Sequence, residues 1–177
     1  IDKNKDRKID VFELKDAIPK YLVEYDYFPY YVDLTDDELE EYRDKTIAIA
    51  RKVEKAKDNF EEKELIKMIT FERANIIKNA GNKIKKFKEI ISENKSIDFA
   101  VIYCAPSKQN KEDDQITQVQ NELNKIPISN HRIKSNEISL KQEIEILDML
   151  ESGSIKVVES IEMLDEGLDI PPLKNAI

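Results

Sequence analysis

Apolar residues in the first half of the chain recur at alternating three- and four-residue steps, the spacing of one face of a helix. Thr35 and Glu38 have the spacing of a capping box, so we predict that a helix begins at Thr35. A polar break over Asn59–Lys63 follows, and a second helical stretch starts near Glu64 and restarts near Phe71. The apolar stripe of the first helix is Leu39, Tyr42, Thr46, Ile49, Val53 and Ala56.

A further amphipathic helix is predicted over Glu72–Ile91. Gly81 falls inside it, where Gly costs about 1 kcal/mol relative to Ala, so we expect close packing or a weak point there. The other faces of this helix are basic, and they either follow a phosphate backbone or are simply solvated. The apolar stripe is Ile77, Ala80, Ile84, Phe87 and Ile91. The basic residues are Arg73, Lys78, Lys83, Lys85, Lys86 and Lys88.

The first 35 residues lack this periodicity and are rich in aromatic side chains. Six of them lie within Tyr21–Tyr31, around Pro19 and Pro29, and we predict a short strand over Tyr30–Leu34. Such a cluster can stack on unpaired bases. It more often docks an arm on its own domain, because aromatic side chains dominate buried contacts.

Short apolar runs separated by helical patterns occupy the second half of the chain. Strand–helix–strand–helix–strand order at these lengths predicts right-handed crossovers and a parallel sheet. We therefore predict an α/β domain over residues 72–177, preceded by a mostly helical arm over residues 1–71. The predicted strands are Asp98–Cys104, Ile126–Ile133, Ile155–Glu159 and the start of one at Asn175–Ile177.

Two helices are predicted between these strands. The first follows a polar loop, Lys108–Asp114. Ser139 and Gln142 form a capping box at the start of the second, and Gly153 ends it in the left-handed conformation. The apolar positions of the two helices are Ile116, Val119 and Leu123, then Leu140, Ile144, Leu147 and Leu150.

Composition and charge narrow the class of protein. The 177 residues are 40% hydrophobic and 37% charged, which with the helical patterns is typical of a folded chain. The formal charge of −8 argues against a uniformly basic nucleic-acid binder. The charge is uneven, however. Gln142–Asp169 holds nine acidic residues and one Lys, whereas Glu72–Lys95 holds seven basic and three acidic residues.

The sequence also indicates a compartment. No stretch approaches the roughly 20 apolar residues that a membrane span needs, and the charged start does not look like a signal peptide. A single cysteine, Cys104, excludes an intramolecular disulfide, so we predict a cytoplasmic protein. Cys104 ends a predicted core strand without a nearby basic group, which favours a buried, inert thiol over a nucleophile.

A short acidic stretch, Ile161–Pro171, follows a predicted strand. In a parallel sheet it lies at the carboxyl end of that strand, where open α/β folds bind ligands. Gly167 lets the backbone approach a phosphate or ribose, and Asp169 offers an acceptor to sugar hydroxyls. An ordinary acidic turn would use the same residues, and the spacing alone does not separate the two.

The residues LDEGLDIP, Leu164–Pro171, resemble motif V of superfamily 2 helicases. The nearest branch contains the excision-repair helicase subunit and the restriction-type DNA translocases. FAVIYCAP, Phe99–Pro106, and the run Leu147–Pro171 follow the order and spacing of the C-terminal RecA-like lobe of that family. Phe12–Tyr42 is similar to the segment that joins its two lobes. The resemblance therefore implies a RecA-like helicase lobe with its joining arm.

The resemblance also implies roles for individual residues. Gly167 and Asp169 match the motif V residues that approach the nucleotide between the lobes. Ser160 and Ile161 match the start of motif V, whose backbone meets nucleic-acid phosphate, and Ile161 replaces the Thr of many relatives. The end of the motif IV strand lies near the nucleic-acid track in the family, and its counterparts here are Cys104, Ala105, Pro106 and Ser107.

The sequence lacks three motifs that ATP hydrolysis needs in this family. It has no G-x-x-x-x-G-K-[ST] loop, no Asp-Glu-x-His box and no Gln-x-x-Gly-Arg-x-x-Arg motif for an arginine finger. We therefore expect an incomplete lobe from a longer helicase, inactive by itself. In the whole enzyme, ATP and Mg²⁺ would bind between this lobe and the first lobe. The expected substrate is nucleic acid, DNA rather than RNA.

Other candidate sites are less specific. Ser135 and Asn136 lie just before a predicted helix start, where free N–H groups favour phosphate, and helix capping explains them equally well. Asp2–Glu13 has oxygen ligands at the spacing of an EF-hand calcium loop, but Arg7 occupies the position that needs Gly. We favour a charged connector there. His131 is the only histidine and lacks a partner at ligand spacing, so no metal site is predicted.

An alternative function follows from the acidic stretch Glu143–Asp169. In this interpretation the chain is a non-enzymatic α/β interaction module whose acidic face binds a basic protein.

Overall fold

A computed structural model describes residues 24–56, 59–93, 97–106, 114–134, 137–161 and 173–177. The pattern of internal contacts divides the chain into two units, Ile1–Tyr31 and Val32–Ile177. The described part of the first unit, residues 24–31, forms neither helix nor strand. Its aromatic side chains are exposed, with Tyr31 at 90% and Tyr27 at 78%.

The predicted strand Tyr30–Leu34 is wrong, because residues 30–34 form no strand. Pro29 precedes them and has no N–H for a ladder. Tyr30, Tyr31 and Val32 have a high strand propensity, but no strand in the described ranges pairs with this segment.

Helix α1 spans Asp36–Ala56 and begins as predicted. The Thr35 N–H donates to Glu38 Oε2 at 2.9 Å, and the Glu38 N–H donates to Thr35 Oγ1 at 3.3 Å, which completes the capping box. Glu38 Oε1 also accepts the Gly81 N–H at 2.8 Å. Partial burial raises the pKa of Glu38, but the N–H donors of Thr35 and Gly81 outweigh it and hold the pKa below its ordinary value. Glu38 therefore anchors a remote turn as well as its own helix.

Helix α2 spans Phe60–Lys78 without interruption, so the predicted polar break and restart are wrong. Asn59 is its N-cap and accepts the N–H groups of Glu61 and Glu62. The polar residues that suggested a break are the N-cap, Asn59, and an acidic first turn, Glu61 and Glu62. Both complement the helix dipole.

Helices α1 and α2 pack as an antiparallel pair. Lys45 binds Glu72 at 3.0 Å, whereas Lys52 binds Glu62 at 3.4 Å, so the chains run in opposite directions. No described residue of α2 is fully buried. The pair therefore forms a two-helix layer held by partial apolar burial and by partly exposed ion pairs, which individually contribute little.

Helix α3 spans Asn82–Glu93, and the predicted single helix over Glu72–Ile91 is wrong. Helix α2 ends at its C-cap, Asn79. Gly81 therefore lies in the turn between α2 and α3, not inside a helix. Along the predicted stripe, Ala80 and Phe87 are buried, whereas Ile77 is 48% exposed. The predicted stripe combined residues of α2 and α3, and the apolar faces of these two helices do not form one continuous buried stripe.

The second half forms a four-stranded parallel sheet in the order β2–β3–β1–β4. This confirms the predicted parallel α/β architecture behind a mostly helical arm. Helix α4 (Gln115–Leu123) and helix α5 (Leu140–Glu151) connect the first three strands. The strands are β1 (Ala100–Tyr103), β2 (Asn130–Lys134), β3 (Val157–Ile161) and β4 (Asn175–Ala176).

Two predicted strand starts are too early for the same reason. Ile155 is buried, but its N–H bonds to the Met149 carbonyl in the turn after α5. Ile126 bonds back to the Leu123 carbonyl and packs on the core from a turn. Both side chains pack on the core, but they belong to the turns before the strands. An apolar residue at these positions therefore does not mark the start of a strand.

The sheet separates two apolar layers. Alternate strand residues face helices α3 and α4 on one side and helix α5 on the other, as the two-residue period requires. The first layer contains Phe87, Ile97, Ala100, Ile102, Cys104, Ile116, Val119, Leu123 and Val157. The second contains Val101, Ile133, Ile146, Leu150, Ile155 and Val158. Of the helices in the described ranges, none is long and apolar enough to cross a membrane.

Two glycines give opposite stability predictions. Gly153 has φ +76°, and an added Cβ would lie 3.4 Å from the Phe99 ring. Gly153→Ala should therefore destabilise the fold by about 1 kcal/mol. Gly81 has no such backbone strain, and its added Cβ would meet only Glu38 Oε1 at 3.6 Å. Gly81→Ala should be neutral or stabilise by about 0.5 kcal/mol, because it restricts the unfolded chain. Urea unfolding of both variants checks the signs, and equal effects would contradict this account.

Candidate functional site

The carboxyl ends of the strands bring several predicted site residues to one edge of the sheet. Tyr103 is in register with Ser160, and the Cys104 N–H donates to the Ser160 carbonyl at 2.8 Å. Ile161 lies in register with Lys134 on the other neighbouring strand. The residues that resemble the end of motif IV and the start of motif V are therefore adjacent at the edge where open α/β sheets bind ligands.

Five predicted site residues lie outside the described ranges. Gly167 and Asp169, the predicted nucleotide contacts, are among them, so the nucleotide contacts stay a prediction. The others are Ser107, Ser135 and Asn136. The Asp2–Glu13 stretch also lies outside the described residues.

Burial limits how the described edge residues can contact a ligand. Ser160 is 0% exposed and Cys104 is 7% exposed, whereas Ala105, Pro106 and Ile161 are half-buried. The Ser160 hydroxyl also has no hydrogen-bond partner among the described atoms. Ligand contact at this edge would therefore involve the half-buried neighbours more than Ser160 or Cys104 themselves.

Burial also determines the state of the Cys104 thiol. It raises the pKa of Cys104 to about 12, and the nearby negative charges of Glu159 and Asp114 contribute in the same direction. The thiol is therefore neutral at ordinary pH. The thiolate, not the thiol, is the nucleophile, so this agrees with the interpretation of an inert core residue.

The chain that follows β1 is fixed by residues that the sequence did not identify. Gln115 Oε1 accepts the Ala105 N–H at 2.5 Å, and Gln115 Nε2 donates to the Lys78 carbonyl at 3.4 Å. Asn79 Nδ2 donates to the Pro106 carbonyl at 3.5 Å. The start of α4 and the end of α2 therefore position this segment together. Since Asn79 was predicted inside a helix, no local signal could have identified its role.

A buried ion pair joins β2 to α4 at the same edge. Lys134 Nζ lies 2.7 Å from Asp114 Oδ2, and both side chains are only 9% exposed. Asp114 also caps α4 by accepting the Thr117 N–H at 2.9 Å. Burial raises the pKa of Asp114, but the donors of Lys134 and Thr117 outweigh it and hold the pKa below its ordinary value. This pair fixes the ends of two elements that flank the candidate site.

Glu159 is a buried acid in the middle of β3. It is 0% exposed, and neither carboxylate oxygen has a hydrogen-bond partner among the described atoms. Burial raises its pKa from 4.5 to about 7. The sequence contained a signal for it, an acidic residue at the end of the predicted strand Ile155–Glu159. Glu159 also belongs to the predicted acidic stretch Glu143–Asp169.

The basic face predicted over Arg73–Lys88 is divided between α2 and α3, and much of it is already engaged. Lys88 lies 3.0 Å from Glu122, and Lys86 pairs with Glu89. The Arg73 guanidinium lies 5.4 Å from the centre of the Tyr42 ring. These internal partners favour a structural role for the face over a continuous phosphate-binding surface.

Titratable groups in the described ranges do not assemble a metal centre. No group of three or more His, Cys, Asp or Glu side chains there could hold a metal ion. His131 is exposed, and its Nδ1 lies 3.1 Å from the Arg132 carbonyl oxygen.

Comparison with known proteins gives structural similarities only. No protein-family model matches the sequence, and no curated protein matches it. The chain is similar to the C-terminal domain of the DEAD-box protein Dbp5, with 17% identity, a TM-score of 0.44 and coverage of 56% of this chain and 51% of that chain. It is also similar to the Hef helicase domain of Pyrococcus furiosus, with 22% identity, a TM-score of 0.42 and coverage of 72% of this chain and 28% of that chain. The chain thus spans about half of the first structure and little more than a quarter of the second.

Proposed function

We propose that residues 72–177 form most of the C-terminal RecA-like lobe of an ATP-dependent superfamily 2 helicase or translocase. Residues 1–71 would connect it to the first lobe of the same cytoplasmic protein. One observation supports this most strongly. The residues that resemble motif IV and the start of motif V come from separate strands, yet they meet at the carboxyl edge of one parallel sheet.

ATP and Mg²⁺ would bind between the two lobes, with Gly167 and Asp169 approaching the nucleotide from this side. The described edge offers no cation for the phosphates. Lys134, the nearest basic residue of the strand ends, is buried and bound to Asp114. The triphosphate, the metal and the hydrolytic machinery would therefore be held mainly by residues outside this chain.

Nucleic acid, DNA rather than RNA, would pass along the carboxyl edge. The less buried neighbours of Cys104 and Ser160 would supply most of the contacts, since these two residues are themselves buried. Backbone and phosphate contacts position a strand without reading its sequence. Closure of the two lobes around ATP would then move this lobe along the strand. The proposed contacts are Cys104, Ala105, Pro106, Ser107, Ser135, Asn136, Ser160 and Ile161.

Fluorescence anisotropy with labelled single-stranded oligonucleotides tests the nucleic-acid contact. We expect weak binding that falls steeply with salt, because phosphate contacts release counterions. DNA should bind more tightly than RNA. Ser107→Glu and Ser135→Glu should weaken binding by adding a negative charge among the proposed contacts. Ser92→Glu, on the exposed end of α3, is the matched control. An affinity that does not change with salt concentration would contradict the proposal. An equal loss of affinity in all three variants would also contradict it.

The ATP contact has its own test. The purified 177-residue chain should show no ATP turnover, with or without DNA, because it lacks the phosphate loop and the arginine finger. A coupled ATPase assay measures this directly. Reproducible turnover that survives repurification would overturn the assignment of the hydrolytic residues to the rest of the enzyme.

The interaction-module alternative loses part of its basis in the structure. Its acidic face was to be Glu143–Asp169, yet Glu143 is 9% exposed and Glu159 is 0% exposed. These two carboxylates lie inside the fold and cannot contact a basic protein. The helicase proposal is therefore preferred.

A further inference from the structure

Glu159 has two different neighbours across the sheet. On β1 it is in register with Ile102, and on β2 it is in register with Arg132. Register partners on adjacent strands project from the same face, about 4.8 Å apart. An unpartnered buried carboxyl thus lies beside an apolar side chain on one side and beside a guanidinium-bearing residue on the other.

Arg132 is committed elsewhere in this arrangement. Its Nη2 lies 3.3 Å from Glu137 Oε2, in the turn after β2, and its side chain is 36% exposed. The other ionisable groups nearby do not supply Glu159 with a cation either. Lys134, also on β2, binds Asp114 at 2.7 Å and Glu137 at 3.4 Å. Cys104, at the end of β1, carries a neutral thiol.

We propose that Glu159 is a proton-controlled switch, buried as a neutral carboxyl in this arrangement and taking the Arg132 guanidinium from Glu137 when it ionises. An isolated carboxylate is unfavourable in an apolar interior, so ionisation needs a cation. Arg132 is suited to this because it is in register and partly exposed, and its partner among the described residues is the surface carboxylate of Glu137. Asp114 and Lys134 form an ion pair with each other, and in the proposal this pair persists in both states.

The switch links the interior of the sheet to the turn after β2. In the neutral state, Arg132 and Lys134 both hold Glu137. In the ionised state, Glu137 keeps the Lys134 ammonium and its own backbone bond to the Lys134 carbonyl, so the turn loses one of its two side-chain tethers. The raised pKa of Glu159, about 7, means that both states are populated near neutral pH. The turn should therefore be held more firmly in mild acid than in mild base.

A side-chain ¹³C NMR titration of the 177-residue chain, labelled at glutamate, tests the proposal. Glu159→Gln assigns the resonance. In the unmodified chain, Glu159 should titrate near pH 7. Glu137→Gln frees Arg132 and should lower the pKa of Glu159 by about one unit, a ten-fold change in proton affinity. Glu145→Gln removes an exposed α5 charge that pairs with Lys141, and it should leave the titration unchanged.

A double-mutant cycle separates the switch from simple loss of a negative charge. In an Arg132→Gln background, the further change Glu137→Gln should no longer shift the pKa of Glu159 by one unit. An equal shift with and without Arg132 would overturn the exchange of partners. Titration of Glu159 between pH 4 and 5 in the unmodified chain would overturn the buried neutral state. Far-UV circular dichroism confirms that each variant is folded before titration.

Discussion

Replacing Lys134 by Met should destabilise the fold by about 3–5 kcal/mol, because Asp114 is then buried without its cation. The loss would be a large part of the roughly 5–15 kcal/mol that stabilises a typical domain. Both side chains are only 9% exposed, so water cannot replace the missing partner. Urea unfolding at pH 7, followed by circular dichroism, measures the change.

Lys67→Met is the matched control for this substitution. Lys67 lies 2.6 Å from Glu64, closer than Lys134 to Asp114, but its side chain is 73% exposed. Exposed pairs contribute about 0–1 kcal/mol, so this variant should barely change. The double variant Lys134→Met with Asp114→Leu should recover part of the loss, although α4 then lacks its cap. Similar losses for Lys134→Met and Lys67→Met would contradict the role assigned to burial.

The pH dependence of this pair has a definite sign. The pKa of Asp114 is depressed in the folded protein, so its pair contributes stability above the ordinary pKa of 3.8. That contribution is lost as the pH falls below this value and the carboxyl is protonated. The difference in stability between the unmodified chain and Lys134→Met should therefore shrink in acid.

Features set by neighbouring residues could be predicted from the sequence. The two capping boxes, at Thr35 and Ser139, depend on side chains three positions apart, and both form as expected. The left-handed Gly153 follows from the end of one helix. The parallel sheet followed from the alternation of apolar runs and helical patterns, which fixes the crossovers.

Features set by distant residues could not be predicted in this way. The break before α3 is stabilised by Glu38, which accepts the N–H of Gly81 across 43 positions of sequence. The segment after β1 depends on Asn79, from a different helix. The Lys134–Asp114 pair requires the end of one strand to meet the start of one helix. Such contacts depend on register and packing, which a local pattern does not contain.

Glu159 belongs to the same class. An acid in a strand is ordinarily placed on a solvated face, and only the sheet order shows that this one has strands on both sides and a helical layer above it. Its burial turns a residue that the composition counts as one negative charge into a group that is half neutral at pH 7. Glu159 therefore contributes less than the full negative charge that the formal value of −8 assigns to it.

Glu159→Gln should stabilise the protein increasingly, relative to the unmodified chain, as the pH rises. The pKa of Glu159 is about 7 when folded and about 4.5 when unfolded, so the folded state binds the proton more tightly. Stability is unimpaired below pH 4.5, declines between pH 4.5 and 7, and then stays at its reduced level. A shift of this size corresponds to about 3 kcal/mol. Gln keeps the shape of the neutral carboxyl and cannot ionise, so its stability should lack this decline.

The measurement is a comparison of urea unfolding at pH 5 and pH 8 for the unmodified chain, Glu159→Gln and the exposed control Glu145→Gln. Effects of all other titrating groups cancel in the difference between chains. The advantage of Glu159→Gln should grow by about 2–3 kcal/mol from pH 5 to pH 8, and Glu145→Gln should show less than 0.5 kcal/mol. A pH-independent difference for Glu159→Gln would mean that Glu159 is already ionised at pH 5. In that case its burial would have to be relieved by a cation at every pH.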